Sequence, residues 1–309
     1  MRFGFLTACL GQMTLDQIIE FAAREKFDDI DVAAWPSFYH SNPFVATHID
    51  ADAWTEAEGQ ALRKHLSDAG VCISQASFFA NLIQQDEVMR GKYTEYLKRL
   101  IEVASSLEIP IVGTFIGRDV TRTVNDNLLL LEERFIPLVK HAEKYGVTLA
   151  VENCPMEGWD EFGLRGNVFY SPELWDAVFA RIDSKNFGII YDPSHSVWLG
   201  IDPVWPISVI APKLVGVHGK DTLIDREALR KYGFFGKQID RSSTWEIGWW
   251  QYVMPGLGEL DWPAIIRALQ QIGYSGTIAI ENEDMAWFGD TEKKLQGIIL
   301  GKRHIEKSL

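Results

Sequence analysis

The chain has 309 residues, room for one large domain or two ordinary ones, and its 47% hydrophobic content can fill a substantial core. A formal net charge of −13 argues against a nucleic-acid backbone as the main partner, because phosphate binding needs a positive surface. The three cysteines, Cys9, Cys72 and Cys154, lack Cys-x-x-Cys spacing and read as core thiols of a reducing compartment; with no signal-peptide pattern and no membrane-length apolar run, the cytoplasm is the expected location and a membrane is not an expected partner.

Residues 2–6 (RFGFL) predict a first strand. Thr14 is placed to cap a helix in which Leu15, Ile18, Ile19, Phe21 and Ala22 recur at helical spacing. Further strands are expected over 29–32, 71–78, 109–114, 147–152, 187–191, 214–218 and 276–281. Between them helices are expected from Thr55 to a stop at Gly70, then over 87–107, 125–145, 172–182 (capped by Ser171), 203–210, 262–272 and 292–309. Polar and aromatic insertions interrupt this rhythm at 37–53, 153–170 and 219–260.

Alternating strands and helices imply parallel pairing, because a parallel crossover is long enough to hold a helix. Eight such units predict a single (β/α)8 TIM barrel spanning residues 1–309. An open dinucleotide-binding sheet would need a Gly-x-Gly-x-x-Gly after the first strand, and none is present.

Chemistry in a barrel sits at the C-terminal ends of the strands. The fifth strand ends in Glu152 (VENCP), the sixth in Asp192 (YDPSH), the seventh in His218 (VHGKD) and the eighth in Glu281 (AIENED). Taken singly, each acid reads as a turn opener or helix cap, and the histidine as a satisfied polar residue. Four successive strands ending this way favour one divalent metal ion, since converging carboxylates repel without a cation. One imidazole and three carboxylates suit Mn²⁺ first, with Co²⁺, Mg²⁺ and Zn²⁺ as the other candidates.

These strand ends, together with PGLGELDW at 255–262, resemble the xylose isomerase-like TIM-barrel superfamily, and within it the sugar phosphate isomerase/epimerase group. The resemblance covers nearly the whole chain. It implies that Glu152, Asp192, His218 and Glu281 bind one metal and that His195 contacts substrate oxygens. It also implies a small carbohydrate substrate and a divalent-metal-dependent isomerase or epimerase. In that chemistry a metal-chelated carbonyl acidifies the neighbouring carbon and stabilises an ene-diolate. Glu152 and Glu281 would move the proton as the catalytic pair. His195 and Lys220 would orient substrate oxygens, Arg118 would hold an anionic group, and Trp35, Trp198 and Trp287 would wall the pocket or pack in the core.

The alternative within the same chemistry is a lyase or dehydratase acting on an inosose or 3-keto-glycoside, in which proton abstraction is followed by loss of a leaving group. A DNA-repair enzyme related to endonuclease IV would need a His-rich multi-zinc cluster and a basic face, and seven histidines with an acidic balance argue against it. A silent sugar-binding barrel is opposed by the intact ligand set. Two departures from the ketose 3-epimerases bear on the substrate. The acids after Glu152 are Glu157 and Asp160 at unmatched spacing, and Val253-Met254 stands where many relatives carry an arginine. Arg165 and Arg241 are lesser anion-binding candidates, and pairing of barrels leaves a homo-oligomer open.

Overall fold

The computed structural model describes residues 1–39, 44–156 and 166–309. The first unit sets the pattern for the rest. Strand β1 (Arg2–Phe5) leads through a 3-10 turn (Thr7–Leu10) into helix α1 (Leu15–Arg24). Thr14 closes a capping box: its hydroxyl accepts from the Gln17 N–H at 3.3 Å, while the Gln17 side chain accepts from the Thr14 N–H at 2.9 Å. The apolar positions Ile18, Ile19, Phe21 and Ala22 then face the core.

The chain continues through β2 (Asp29–Ala33), α2 (Glu56–Ala69), β3 (Cys72–Ser77), α3 (Glu87–Ser106), β4 (Ile111–Thr114), α4 (Val124–Arg134), α5 (Ile136–Tyr145) and β5 (Thr148–Glu152). It then forms α6 (Pro172–Phe179), β6 (Phe187–Tyr191), α7 (Ser194–Leu199), α8 (Trp205–Ile210) and β7 (Leu214–Gly219). A hairpin, β8 (Asp221–Ile224) and β9 (Trp250–Val253), embraces α9 (Arg226–Tyr232), and the fold closes with α10 (Trp262–Gln271), β10 (Thr277–Ile280) and α11 (Thr291–Glu306). Gly70 ends α2 in the left-handed conformation at φ 67°, as a glycine stop requires.

Eight parallel strands pair in the order β1-β10-β7-β6-β5-β4-β3-β2, and β8 pairs antiparallel with β9 outside them. The ends of the sheet meet where the Asp28 N–H donates to the Phe3 carbonyl at 2.8 Å and Leu6 bridges Asp31 in parallel. This is a nearly closed TIM barrel, as the alternation predicts. The helices bury their apolar faces against it, with Trp175, Trp262, Phe21 and Phe187 among the largest fully buried side chains.

The structure corrects four expectations. The helix expected over 125–145 is two helices broken at Phe135, because Pro137 has no N–H to continue the ladder and becomes an early residue of α5. Ser171 stands at the cap of α6 but makes no side-chain cap bond. The segment after β6, read as a turn, continues into α7. The third insertion, for which the sequence predicts no strand, carries the β8–β9 hairpin. Among the described residues no helix is long and apolar enough to cross a membrane.

Candidate metal centre and substrate pocket

Parallel register brings the four predicted strand ends to one level. Glu152 pairs opposite Ile190, two residues before Asp192, and Ala279 pairs with His218, two residues before Glu281. One ligand atom each from Glu152, Asp192, His218 and Glu281 lies within 4.8 Å of every other, and all four residues are buried, so the group could hold a metal ion.

Asp192 opens the turn expected of it. Its Oδ1 accepts from the Ser194 N–H at 2.8 Å, the Asx turn that an Asp-Pro sequence favours. Asn153 clasps the same backbone, donating to the Asp192 carbonyl at 2.9 Å and accepting from its N–H at 2.6 Å. Asp192 Oδ2 is left facing the site.

His218 is gripped from both sides. Its Nδ1 faces Glu152 Oε1 at 2.8 Å and Glu281 Oε2 at 3.4 Å, while Nε2 faces Asp31 Oδ2 at 3.3 Å. Asp31 is held in turn by Gln75 Nε2 and by Ser77 Oγ, each donating at 2.7 Å. Burial pulls the His218 imidazole down, but Glu152, Glu281 and Asp31 outweigh it and hold the ring well above the usual histidine range. Burial alone would raise Glu152 and Glu281; His218, His195 and Lys220 overcome it for Glu152, and Lys220 and His218 for Glu281, so both carboxylates are held below their ordinary range.

Lys220 stands 2.9 Å from Glu281 Oε2, 2.9 Å from Glu283 Oε2 and 3.1 Å from Asp192 Oδ2, with its ammonium 4.4 Å from the centre of the Tyr252 ring. Burial pushes the Glu283 carboxyl up to about 7 against the opposing pull of Lys220. His195 is wholly buried beside the carboxylates, its Nε2 3.3 Å from Asp192 Oδ2 and its Nδ1 2.8 Å from the Tyr252 hydroxyl.

Asp31, Glu283 and Tyr252 were not singled out from the sequence. Glu283 lies two residues beyond Glu281 in IENED, an alternation that continues past the strand end. Asp31 is the inward acid of DIDV. Nothing in the sequence marks Tyr252, which the hairpin delivers from across the third insertion.

The same hairpin explains the PGLGELDW segment. Asp221, fully buried, accepts from the N–H groups of Thr222 at 2.8 Å, Gly256 at 3.0 Å and Leu260 at 3.1 Å, and from the Trp262 indole at 3.3 Å. A Cβ on Gly258 would come within 2.2 Å of Asp221 Oδ1, so the loop closes this tightly only with glycine there.

A cavity of about 440 Å³ opens over the centre, lined by Glu152, Lys220, Glu281 and Glu283 at its polar end and by Trp35 among other aromatic residues. Arg118, Trp198 and Trp287 are not among its lining residues. The Arg118 guanidinium reaches the Arg122 carbonyl at 3.4 Å instead, Trp198 stacks behind Trp250 at 4.6 Å, and Trp287 packs against the core. Arg241 donates to the Thr244 carbonyl. Glu157, Asp160 and Arg165 lie outside the described residues.

The donor set fits a divalent ion. Asp192 Oδ2, Glu281 Oε2 and His195 Nε2 are buried without a hydrogen bond, although ion-pair partners surround them. Hard oxygen donors with one imidazole are ligands such an ion accepts.

The sequence matches the family described as xylose isomerase-like TIM barrel over residues 19–300. The uncharacterized protein YfiH of Bacillus subtilis (strain 168) is 24% identical over 92% of this chain and 93% of its own length. A D-psicose 3-epimerase crystallised in the presence of D-fructose superposes with a TM-score of 0.70 at 17% identity, covering 100% of this chain and 99% of that one. The IolI protein with a bound zinc atom does so with a TM-score of 0.70 at 15% identity, covering 100% and 99%. At such identities the likeness to the solved structures establishes the fold.

Proposed function

The chain belongs to the xylose isomerase-like TIM-barrel family, and from that premise and the geometry above we propose that it is a divalent-metal-dependent sugar isomerase or epimerase. One observation carries the reading: Glu152 Oε1 and Glu281 Oε2, from different strands, flank the same His218 Nδ1 at 2.8 and 3.4 Å in a buried, ligand-sized cavity. Glu152, Asp192, His218 and Glu281 would hold the ion. Bound there, it would supply Lewis acidity, drawing electrons from a substrate carbonyl so that the neighbouring C–H becomes acidic.

The side chains do the rest. Both glutamates are kept ionised by their cationic neighbours, so either can accept a proton. Because they come from separate strands, one carboxylate takes the proton from the substrate carbon and the other returns one, inverting the centre or moving the proton to the adjacent carbon. Lys220, fixed by three carboxylates, donates to a substrate oxygen. His195 orients the substrate's hydroxyl groups while the Tyr252 hydroxyl holds its ring. The buried walls exclude water from the exchanging proton. Mn²⁺ is the preferred ion on the chemistry of the donors, with Zn²⁺ the main rival.

The reading is tested by incubating the Mn²⁺-loaded protein in D₂O with free ketoses, inososes and 3-keto-glycosides and following each by NMR. Deuterium entering beside the carbonyl without elimination supports it. Loss of water or of an aglycone assigns the same proton abstraction to a lyase. No exchange with any member overturns both.

A further inference from the structure

The acids and Lys220 cluster together, and most of the remaining lining is apolar, with aromatic rings the most numerous. Trp35, Phe79 and Phe115 follow β2, β3 and β4 and form one wall, with Phe79 4.7 Å from Phe115 and 5.8 Å from Trp35 between ring centres. Trp250 and Tyr252 project from β9, with rings 4.8 Å apart, and Trp198 of α7 stacks behind Trp250 at 11° between planes. In the observed strand order β3 stands diametrically across the barrel from β7, and the hairpin directly follows β7. The two aromatic walls therefore face each other across the cavity, and both begin at the candidate centre: Phe79 is 6.1 Å from the His218 ring, and Tyr252 bonds His195 at 2.8 Å.

Charge narrows the ligand further. Among the described residues the cavity is lined by three glutamates and a single cation, Lys220, which three carboxylates already surround at 2.9 to 3.1 Å. Even with an ion held at Glu152 and Glu281, no described cation besides Lys220 lines the cavity to compensate a substrate phosphate or carboxylate for its lost water. A flat uncharged group would instead bury its faces against indole and phenyl rings. About 440 Å³ lies in the range of pockets that take drug-sized ligands, roughly 300–1,000 Å³, and exceeds what one small sugar fills.

We propose that the substrate is an uncharged keto-glycoside with an aromatic aglycone, its sugar ring, which carries the carbonyl that proton abstraction needs, held at Glu152 and Glu281 and its aglycone held between the Trp35–Phe79–Phe115 and Trp250–Tyr252 walls. This rests on the placement of the sugar given under the proposed function, and it adds the class of the group attached to that sugar.

Isothermal titration of the Mn²⁺-loaded protein tests it, with methyl and phenyl β-D-glucopyranoside, the 3-keto form of each, and glucose 6-phosphate as probes. In at least one pair the phenyl member should bind about tenfold tighter than the methyl member. Trp250→Ala and Trp35→Ala should each shrink that ratio to within about twofold while leaving the methyl affinity in place, and Trp250→Phe should keep most of it. Equal affinities within both pairs, no measurable binding of either phenyl member, or tightest binding of glucose 6-phosphate would overturn the proposal. Binding is read without turnover, so Glu281→Gln separates the two claims. A phenyl preference that survives while exchange fails leaves the aglycone assignment standing and removes only the proton-transfer reading.

Discussion

Asp31 Oδ2 lies 3.3 Å from His218 Nε2, and the two come from the non-neighbouring strands β2 and β7. The contact fixes the ring so that Nδ1 points at Glu152 and Glu281. A carboxylate behind a ligating histidine sets its orientation and raises its basicity. Asp31→Asn should therefore weaken Mn²⁺ binding by roughly ten- to a hundredfold while the fold is retained. Calorimetric titration of the stripped protein measures this, and an unchanged affinity would remove Asp31 from the ligand's support.

Lys220 answers a different need. Its ammonium is the buried countercharge to Asp192, Glu281 and Glu283. Lys220→Met leaves those acids uncompensated, so the metal-stripped variant should lose about 3–5 kcal/mol of stability at neutral pH. Added Mn²⁺ should restore more stability to the variant than it adds to the parent, because the ion replaces the missing positive charge. Urea denaturation with and without metal reads both effects, and a variant as stable as the parent in chelator would contradict this role.

His48 links the first insertion to the turn after β1, and burial favours its neutral ring. With that ring neutral and Nε2 donating to the Leu10 carbonyl at 3.3 Å, Nδ1 accepts from the Thr7 hydroxyl at 2.9 Å, which itself accepts from the Ala33 N–H at 2.8 Å. Burial pushes the ring down to about 4. The unfolded chain, with its histidine near 6.5, then binds more protons than the folded one between those values. The contribution is fully present above pH 6.5 and is lost as pH falls toward 4. Urea midpoints measured across that window should decline less steeply in His48→Gln than in the parent. Parallel slopes would show that this ring does not set the acid limb.

Residues whose side chains answer to local rules were legible in the sequence. The barrel follows from alternating strand and helix periods, and the four metal-competent residues follow from the rule that strand ends point into the site. Thr14 and Gly70 are where capping chemistry puts them. The rest depends on contacts distant in sequence. Tyr252 reaches His195 only because β9 folds back on β8, and no local pattern in the third insertion announces that pairing. Asp31 becomes a support for His218 only once 187 residues of chain have closed the ring between them. Arg118 had the charge to bind an anion, but its loop turns the guanidinium to the Arg122 carbonyl and away from the cavity.

The central claim is that Glu152, Asp192, His218 and Glu281 together hold one divalent ion, since their ligand atoms lie within 4.8 Å of one another. Its most direct test is equilibrium titration of the metal-stripped protein with Mn²⁺, following free Mn²⁺ by electron paramagnetic resonance, for the parent and for Asp192→Asn and His218→Gln. The account predicts one bound ion per chain in the parent and at least a tenfold loss of affinity in each variant. A parent that binds no ion, or variants that bind it as tightly as the parent, would contradict it.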